Sequence, residues 1–288
     1  MWARAEPLLA GLGRGMTVHQ TGGRGSATRI ALDVAGEGPG SVLLAVGGDG
    51  TVHEVANGLL RSARGREAPA LAILPAGSGN DLARQLGFSK HSGRLATRLQ
   101  AGRTTLIDAG LLTWPGASEW FVNVASFGFT GAAARIADRM SKRFGGVSYV
   151  ASALLALARH RDFDLRTVVD GGPPWSGQLC TGILANAAWF GSGMHVAPGA
   201  RVDDGMLDLV TVTGAGRLRL AGLLAGVFGG WHLSSRSVSR RLVRSVRVEW
   251  AGDLPWEADG EVLAVESPVL AEVHPAVLRV VAAPQAAG

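Results

Sequence analysis

The sequence predicts an α/β protein in two parts: a doubly wound nucleotide-binding domain over residues 1–114, then a mainly antiparallel β domain over residues 115–288. Three observations carry that prediction. Two short apolar runs, 41–46 and 70–74, each stop at a glycine-rich polar stretch and give way to apolar residues at helical spacing, as successive strand–turn–helix units do. Beyond Glu119 the chain changes to short strand-like runs parted by Gly, Pro and Asp, which suits an antiparallel sandwich or open barrel. With 288 residues, 47% hydrophobic and 18% charged, the chain can bury two cores and is too apolar for disorder.

In chain order, residues 2–15 show a helix-like apolar and arginine pattern, and 16–20 read as a short strand before the QTGGRGSA turn that contains Thr21. Strand 41–46 ends in Gly47-Gly48-Asp49-Gly50-Thr51, after which Val52, Val55, Ala56, Leu59 and Leu60 recur on one helical face beside His53 and Glu54. Glycine admits bare backbone close to an anion, and the N–H groups that open a helix point at it. An Asp in such a turn repels phosphate unless a metal ion or a hydroxyl proton is near. An ordinary glycine turn with a capping Thr is the alternative, since the pattern is neither G-x-G-x-x-G nor the P-loop with its Lys. Strand 70–74 repeats the device in PAGSGND, which contains Ser78 and Asn80, and then Leu82, Ala83 and Leu86 read as helix. Two consecutive strands ending this way place both turns at one carboxyl edge of a parallel sheet, where such folds bind ligands. A helix over 89–100 and a strand over 104–113 follow, the strand holding Asp108 at an apolar position that demands a partner.

In the second domain, strands are expected at 119–124, 165–170, 178–185, 207–213, 243–250 and 277–282. Helices are expected at 132–140, continuing into 145–160, and at 218–233. Both helical stretches are apolar and too short to span a bilayer, so they are core helices or an acyl-chain cradle at a membrane surface.

The net charge of +5 rests on arginine, since Lys90 and Lys142 are the only lysines. The arginines are scattered except over 236–247, which reads as a solvated face or as a contact for anionic lipid headgroups rather than a nucleic-acid surface. The single cysteine, Cys180, excludes an internal disulfide and suits a reducing compartment. No run reaches about 18 apolar residues and the first residues lack a signal-peptide layout, so a cytoplasmic protein is expected, with peripheral contact at the inner face of the membrane. The chain is compatible with a homo-oligomer.

GGDGTVHEVANGLL followed by LPAGSGNDLAR resembles the catalytic domain of bacterial diacylglycerol kinase-like lipid kinases, which are themselves similar to sphingosine and NAD kinases. FVNVASFGFTGAAARI, FGGVSY, NAAWFGSGMHVAPGARVDDGMLDLV and WEADGEVL follow in that family's order, so the resemblance spans roughly residues 16–284. It implies an ATP-dependent kinase with its active site between the two domains, phosphorylating diacylglycerol or a related glycerolipid at a membrane surface. It implies that Thr21, Gly47, Gly48, Asp49, Gly50, Thr51, Val52, His53, Glu54, Ser78 and Asn80 hold nucleotide. Asp49 and Glu261 are the implied catalytic residues, with Glu261 as general base. A structural Mg²⁺ is implied at Asp204 with the carbonyls of Arg201 and Met206, joined to the active site through Asp108. The family's usual opening strand ending in Asn-Pro is missing before residue 16. Two other readings remain: a kinase of a soluble acceptor, as NAD kinases are, and a non-catalytic nucleotide- or lipid-binding regulator.

Overall fold

A computed structural model describes residues 6–7, 10–11, 15–62, 64–140, 146–159 and 161–283, with backbone alone at 146–150. The expected helix over 2–15 falls mostly outside the described residues, as do positions 145 and 160 of the expected 145–160 helix. The chain divides into two compact units, one formed by residues up to Ile107 together with those from Ala276 onward, the other by Asp108–Pro275.

The first unit contains α1 (Ser26–Val34), β1 (Val42–Gly47), α2 (Asp49–Arg61), β2 (Ala70–Pro75), α3 (Asp81–Gln85) and α4 (Ser92–Gln100). Strands β1 and β2 pair in parallel from Val42↔Ala70 to Gly47↔Pro75, so they end level with each other. All six β2 residues are buried, as its unbroken apolar run requires of a strand covered on both faces. Beside β2 lies the end of β14 (Val269–Val281), with Val280 opposite Leu71 in parallel. That pairing returns the last strand to the first unit, where the sequence alone placed it in the second domain. Arg98 of α4 secures it: Nε donates to the Ala282 carbonyl at 2.9 Å, and Nη2 donates to Leu86 at 2.8 Å and Val281 at 3.3 Å. Helix α2 lies against α1 at Gly58, where a Cβ would stand 2.4 Å from the Ala31 Cβ. The strand expected over 16–20 does not form; these residues are exposed and no described strand pairs with them, so their amides have no ladder to join.

The second unit is a β-sandwich. Its first sheet orders β10 (Val238–Val243), β9 (Leu207–Val212), β8 (Thr181–Ala185), β5 (Val124–Gly128), β12 (Trp256–Ala258) and β13 (Glu261–Leu263), all antiparallel. The facing layer holds the early part of β14 beside β11 (Ser245–Trp250), β6 (Phe163–Val169) and β7 (Trp175–Leu179). Strand β3 (Thr104–Trp114) enters this unit at Asp108 and pairs with β4 (Ala117–Phe121). The two layers share one core, with Phe127, Leu184 and Trp256 from one and Leu165, Val246 and Val269 from the other. The runs expected as single strands at 178–185 and 243–250 are each two strands, broken at Cys180 and Arg244, where the chain leaves one sheet for the other. Among the described residues three helices complete the unit: α5 (Phe129–Arg139), α6 (Gly146–Ala158) and α7 (Arg217–Gly226), the last continuing as short 3₁₀ turns to Ser234. Among the described residues, no helix is long and apolar enough to cross a membrane.

Candidate active site

In the first unit, the level ends of β1 and β2 set their two glycine turns side by side. The fit allows no side chain: a Cβ on Gly77 would lie 2.5 Å from the Gly48 Cα, and a Cβ on Gly47 would lie 2.5 Å from the Thr51 Oγ1. Asp49 opens α2, yet its carboxylate serves the other turn, Oδ2 accepting the Asn80 N–H and Oδ1 the Asp81 N–H, each at 2.7 Å. It therefore caps α3 from outside that helix. Asn80, left-handed at φ 57°, closes its own turn, Oδ1 accepting the Gly77 N–H at 3.1 Å and Nδ2 donating to the Gly77 carbonyl at 2.8 Å. The N-cap of α2 is Gly48, so no capping side chain stands between the helix start and an approaching anion.

The sequence-derived nucleotide set divides here. Gly47, Gly48, Asp49, Gly50, Thr51, Ser78 and Asn80 lie on the two adjoining turns, with Ser78 exposed. Val52 and His53 turn their side chains into the core, and the Val52 N–H already donates to the Gly48 carbonyl at 3.1 Å. Glu54 faces α1, accepting the Gly25 N–H at 2.8 Å and the Ala27 N–H at 3.0 Å. Thr21 is exposed on the approach to α1 and belongs to no element. Sequence reasoning missed Gly77, whose need for glycine arises from contact with another turn.

In the second unit, Asp108 is buried, with Oδ2 accepting the Gly205 N–H at 2.7 Å and its carbonyl accepting from Asn186 Nδ2 at 3.0 Å. Gly205 follows Asp204, so Asp108 braces the acidic turn. Asp204 Oδ1 accepts the Met206 N–H at 3.1 Å, while Asp203 pairs outward with Arg201. Burial raises the Asp204 pKa above the ordinary carboxylate value; the Met206 N–H opposes this, and the charges of Asp108 and Asp208 add to the rise. Among the described residues, no group of three His, Cys, Asp or Glu side chains forms a metal cluster. A hard cation held by one carboxylate and backbone carbonyls needs no such group. Asp204 is exposed, with Asp108 and Asp208 near enough to disfavour its negative charge, and one carboxylate beside the Arg201 and Met206 carbonyls is a donor set of the kind Mg²⁺ accepts. His195 stacks on Trp189 at 4.1 Å, and burial lowers its pKa, which keeps the imidazole neutral near neutrality.

The hairpin carrying Glu261 is not the solvated tip its composition suggests. Asp259 and Gly260, at φ 50° and 87°, make a two-residue turn between Ala258 and Glu261. Asp259 accepts the N–H groups of Val122 at 3.0 Å and of Asn123 and Val124 at 2.9 Å. Glu257, fully buried, accepts from the Ser126 hydroxyl and from the Gly260 N–H at 2.8 Å. The sequence marks Asp259-Gly260-Glu261 as a tight turn but assigns no role to Asp259 or Glu257, whose partners Val122 and Ser126 lie over 130 residues away.

Residues 1–112 match the diacylglycerol kinase catalytic domain family, and residues 123–282 match the YegS carboxyl-terminal, NAD kinase β-sandwich-like domain. A diacylglycerol kinase of Mycobacterium tuberculosis is 31% identical over 270 residues, covering 93% of this chain and 85% of that protein. A YegS-like lipid kinase of Pseudomonas aeruginosa is 34% identical over 272 residues, at 93% and 85% coverage. A crystal structure of a diacylglycerol kinase from Bacillus anthracis shares the fold at a TM-score of 0.71 and 20% identity, covering 96% of this chain and 89% of that one. An NAD kinase of Archaeoglobus fulgidus, solved with ATP, shares it at a TM-score of 0.56 and 13% identity, with 98% and 90% covered. The two family matches between them span most of the chain, and the chain belongs to the diacylglycerol kinase-like lipid kinase family.

Proposed function

We propose that the protein transfers the γ-phosphoryl group of ATP to a hydroxyl of diacylglycerol or a related glycerolipid. The observation that carries this reading is the pair of glycine turns, touching at Gly48 and Gly77 and tied together through Asp49. Side-chain-free backbone at a helix start accepts a polyphosphate, and phosphoryl transfer needs chiefly placement and charge neutralisation. The glycerolipid acceptor is taken from the Mycobacterium tuberculosis relative, a diacylglycerol kinase.

In this reading the turns at 47–51 and 77–80 hold the phosphates. Asp49, held at the junction of the two turns by the Asn80 and Asp81 N–H groups, orients the acceptor hydroxyl or would help hold Mg²⁺. Glu261 takes the hydroxyl proton as the oxygen attacks phosphorus, leaving ADP and a phosphate monoester. Asp204 and the carbonyls of Arg201 and Met206 would hold Mg²⁺, which supplies charge that stiffens the acidic turn.

The test is incubation with γ-labelled ATP, Mg²⁺ and diacylglycerol in detergent micelles, followed by organic extraction. Labelled phosphatidic acid is expected. In a parallel incubation with NAD added, label confined to the dinucleotide in the aqueous phase overturns the proposal, as does ATP bound but never consumed with any glycerolipid.

A further inference from the structure

In the second unit a cavity of about 300 Å³ opens where α5, α6 and the start of β6 meet the 253–255 segment. Its wall carries Arg135, Arg139, Arg159 and Arg161 against a single carboxylate, Asp253. Arg135 spends its fork on that carboxylate, at 2.8 and 3.1 Å, and Arg161 reaches the Asp253 carbonyl at 3.5 Å. Arg139 and Arg159 make no ion pair among the described residues. The floor is apolar, with Phe129 and Ile136. None of these residues belongs to the glycine turns, the Asp204 turn or the Glu261 hairpin.

Two guanidinium groups over an apolar floor select an anion joined to a hydrocarbon body, and arginine forks match phosphate oxygens. The rim extends the same chemistry. Leu155 stands one helical turn before Arg159, and it and its neighbour Leu154 are exposed. Helix α7, packed beside α6, leaves Leu218 93% exposed between Arg217 and Arg219, and the turns after it leave Trp231 79% exposed. Leucine and tryptophan displayed with arginine are the composition of a surface that lies at a lipid headgroup layer.

We propose that this cavity binds the phosphate headgroup of an anionic phospholipid, seating the α6–α7 face on a negatively charged bilayer. The inference does not depend on the kinase reading, because it concerns adhesion and is measured without turnover.

Sedimentation with phosphatidylcholine vesicles, with and without phosphatidylglycerol, tests it on the intact protein. Binding is expected to the anionic vesicles and to fall roughly tenfold or more in R139Q/R159Q. A second variant, R64Q/R94Q, removes the same charge from exposed positions of the first unit and is expected to bind within about twofold of the parent. Equal loss in both variants, or undiminished binding in R139Q/R159Q, overturns the proposal. So does full release of the protein by inorganic phosphate at unchanged ionic strength, which would make the cavity a free-phosphate site. An unaltered melting temperature in R139Q/R159Q shows that the loss is not unfolding.

Discussion

Three acids within five residues of one hairpin have three different surroundings. Glu257 is fully buried and gives both oxygens to neighbours, Asp259 accepts three backbone N–H groups, and Glu261 is half-buried at the far side of the turn. The first two organise the backbone that presents the third. Under the proposed mechanism, Glu261→Gln lowers kcat by about a hundredfold or more, because the amide cannot accept the proton, and leaves ATP affinity within about twofold by calorimetry. Retention of more than about a tenth of the rate would remove Glu261 from the role of base. Asp259→Ala strands three amides and should cost about 3 kcal/mol in urea denaturation, with Glu261 itself unchanged. Cys180 allows a simpler check. Burial, and after it the Asp162 charge, pushes its thiol up to about 12. At pH 8 the thiolate is then scarce, so iodoacetamide should leave the native protein unmodified and alkylate it once urea unfolds it.

At the scale of elements, the closest approaches are made where glycine removes a Cβ. Gly58 lets α2 cross α1 with the Thr28 carbonyl 2.5 Å from where a Cβ would sit, so Gly58→Val must drive the helices apart. A loss of about 2–3 kcal/mol is expected by thermal denaturation. The elements around the glycine turns were legible because each local signal agreed with its neighbours: an apolar run, then glycine, then helical spacing. What was hidden was which element answers which. Asp49 reads as a group that organises a metal ion or the acceptor hydroxyl, and it is also the cap of α3, thirty-odd residues away. The splits at Cys180 and Arg244 were equally hidden, since a strand that changes sheets keeps the same alternation on both sides of the break. Strand 16–20 was misread for the opposite reason: its residues suit a strand, but pairing is a property of neighbours.

At the scale of the whole molecule, the first unit is discontinuous in sequence, and only its larger piece precedes Asp108. Arg98 holds the returning strand by two carbonyls, and β2 borders it at Leu71. A fragment of residues 1–107 therefore exposes one edge of β2 and leaves Arg98 without the Val281 and Ala282 carbonyls. It should show poor amide dispersion by NMR, while a fragment of 108–275 retains the sandwich core. Fold class was readable at this level because the change of periodicity after Glu119 is a property of long stretches. The position of the final strand was not, since its apolar run fits either sheet.

That interleaving inverts the usual order of events on the ribosome, where the earlier half of a protein folds first. Here residues 108–275 emerge as an uninterrupted block that can close on itself, whereas the first unit lacks its last strand until translation has passed Ala276. The segment made first is thus finished after the block that follows it, because the edge of β2 is covered only when Val280 reaches Leu71.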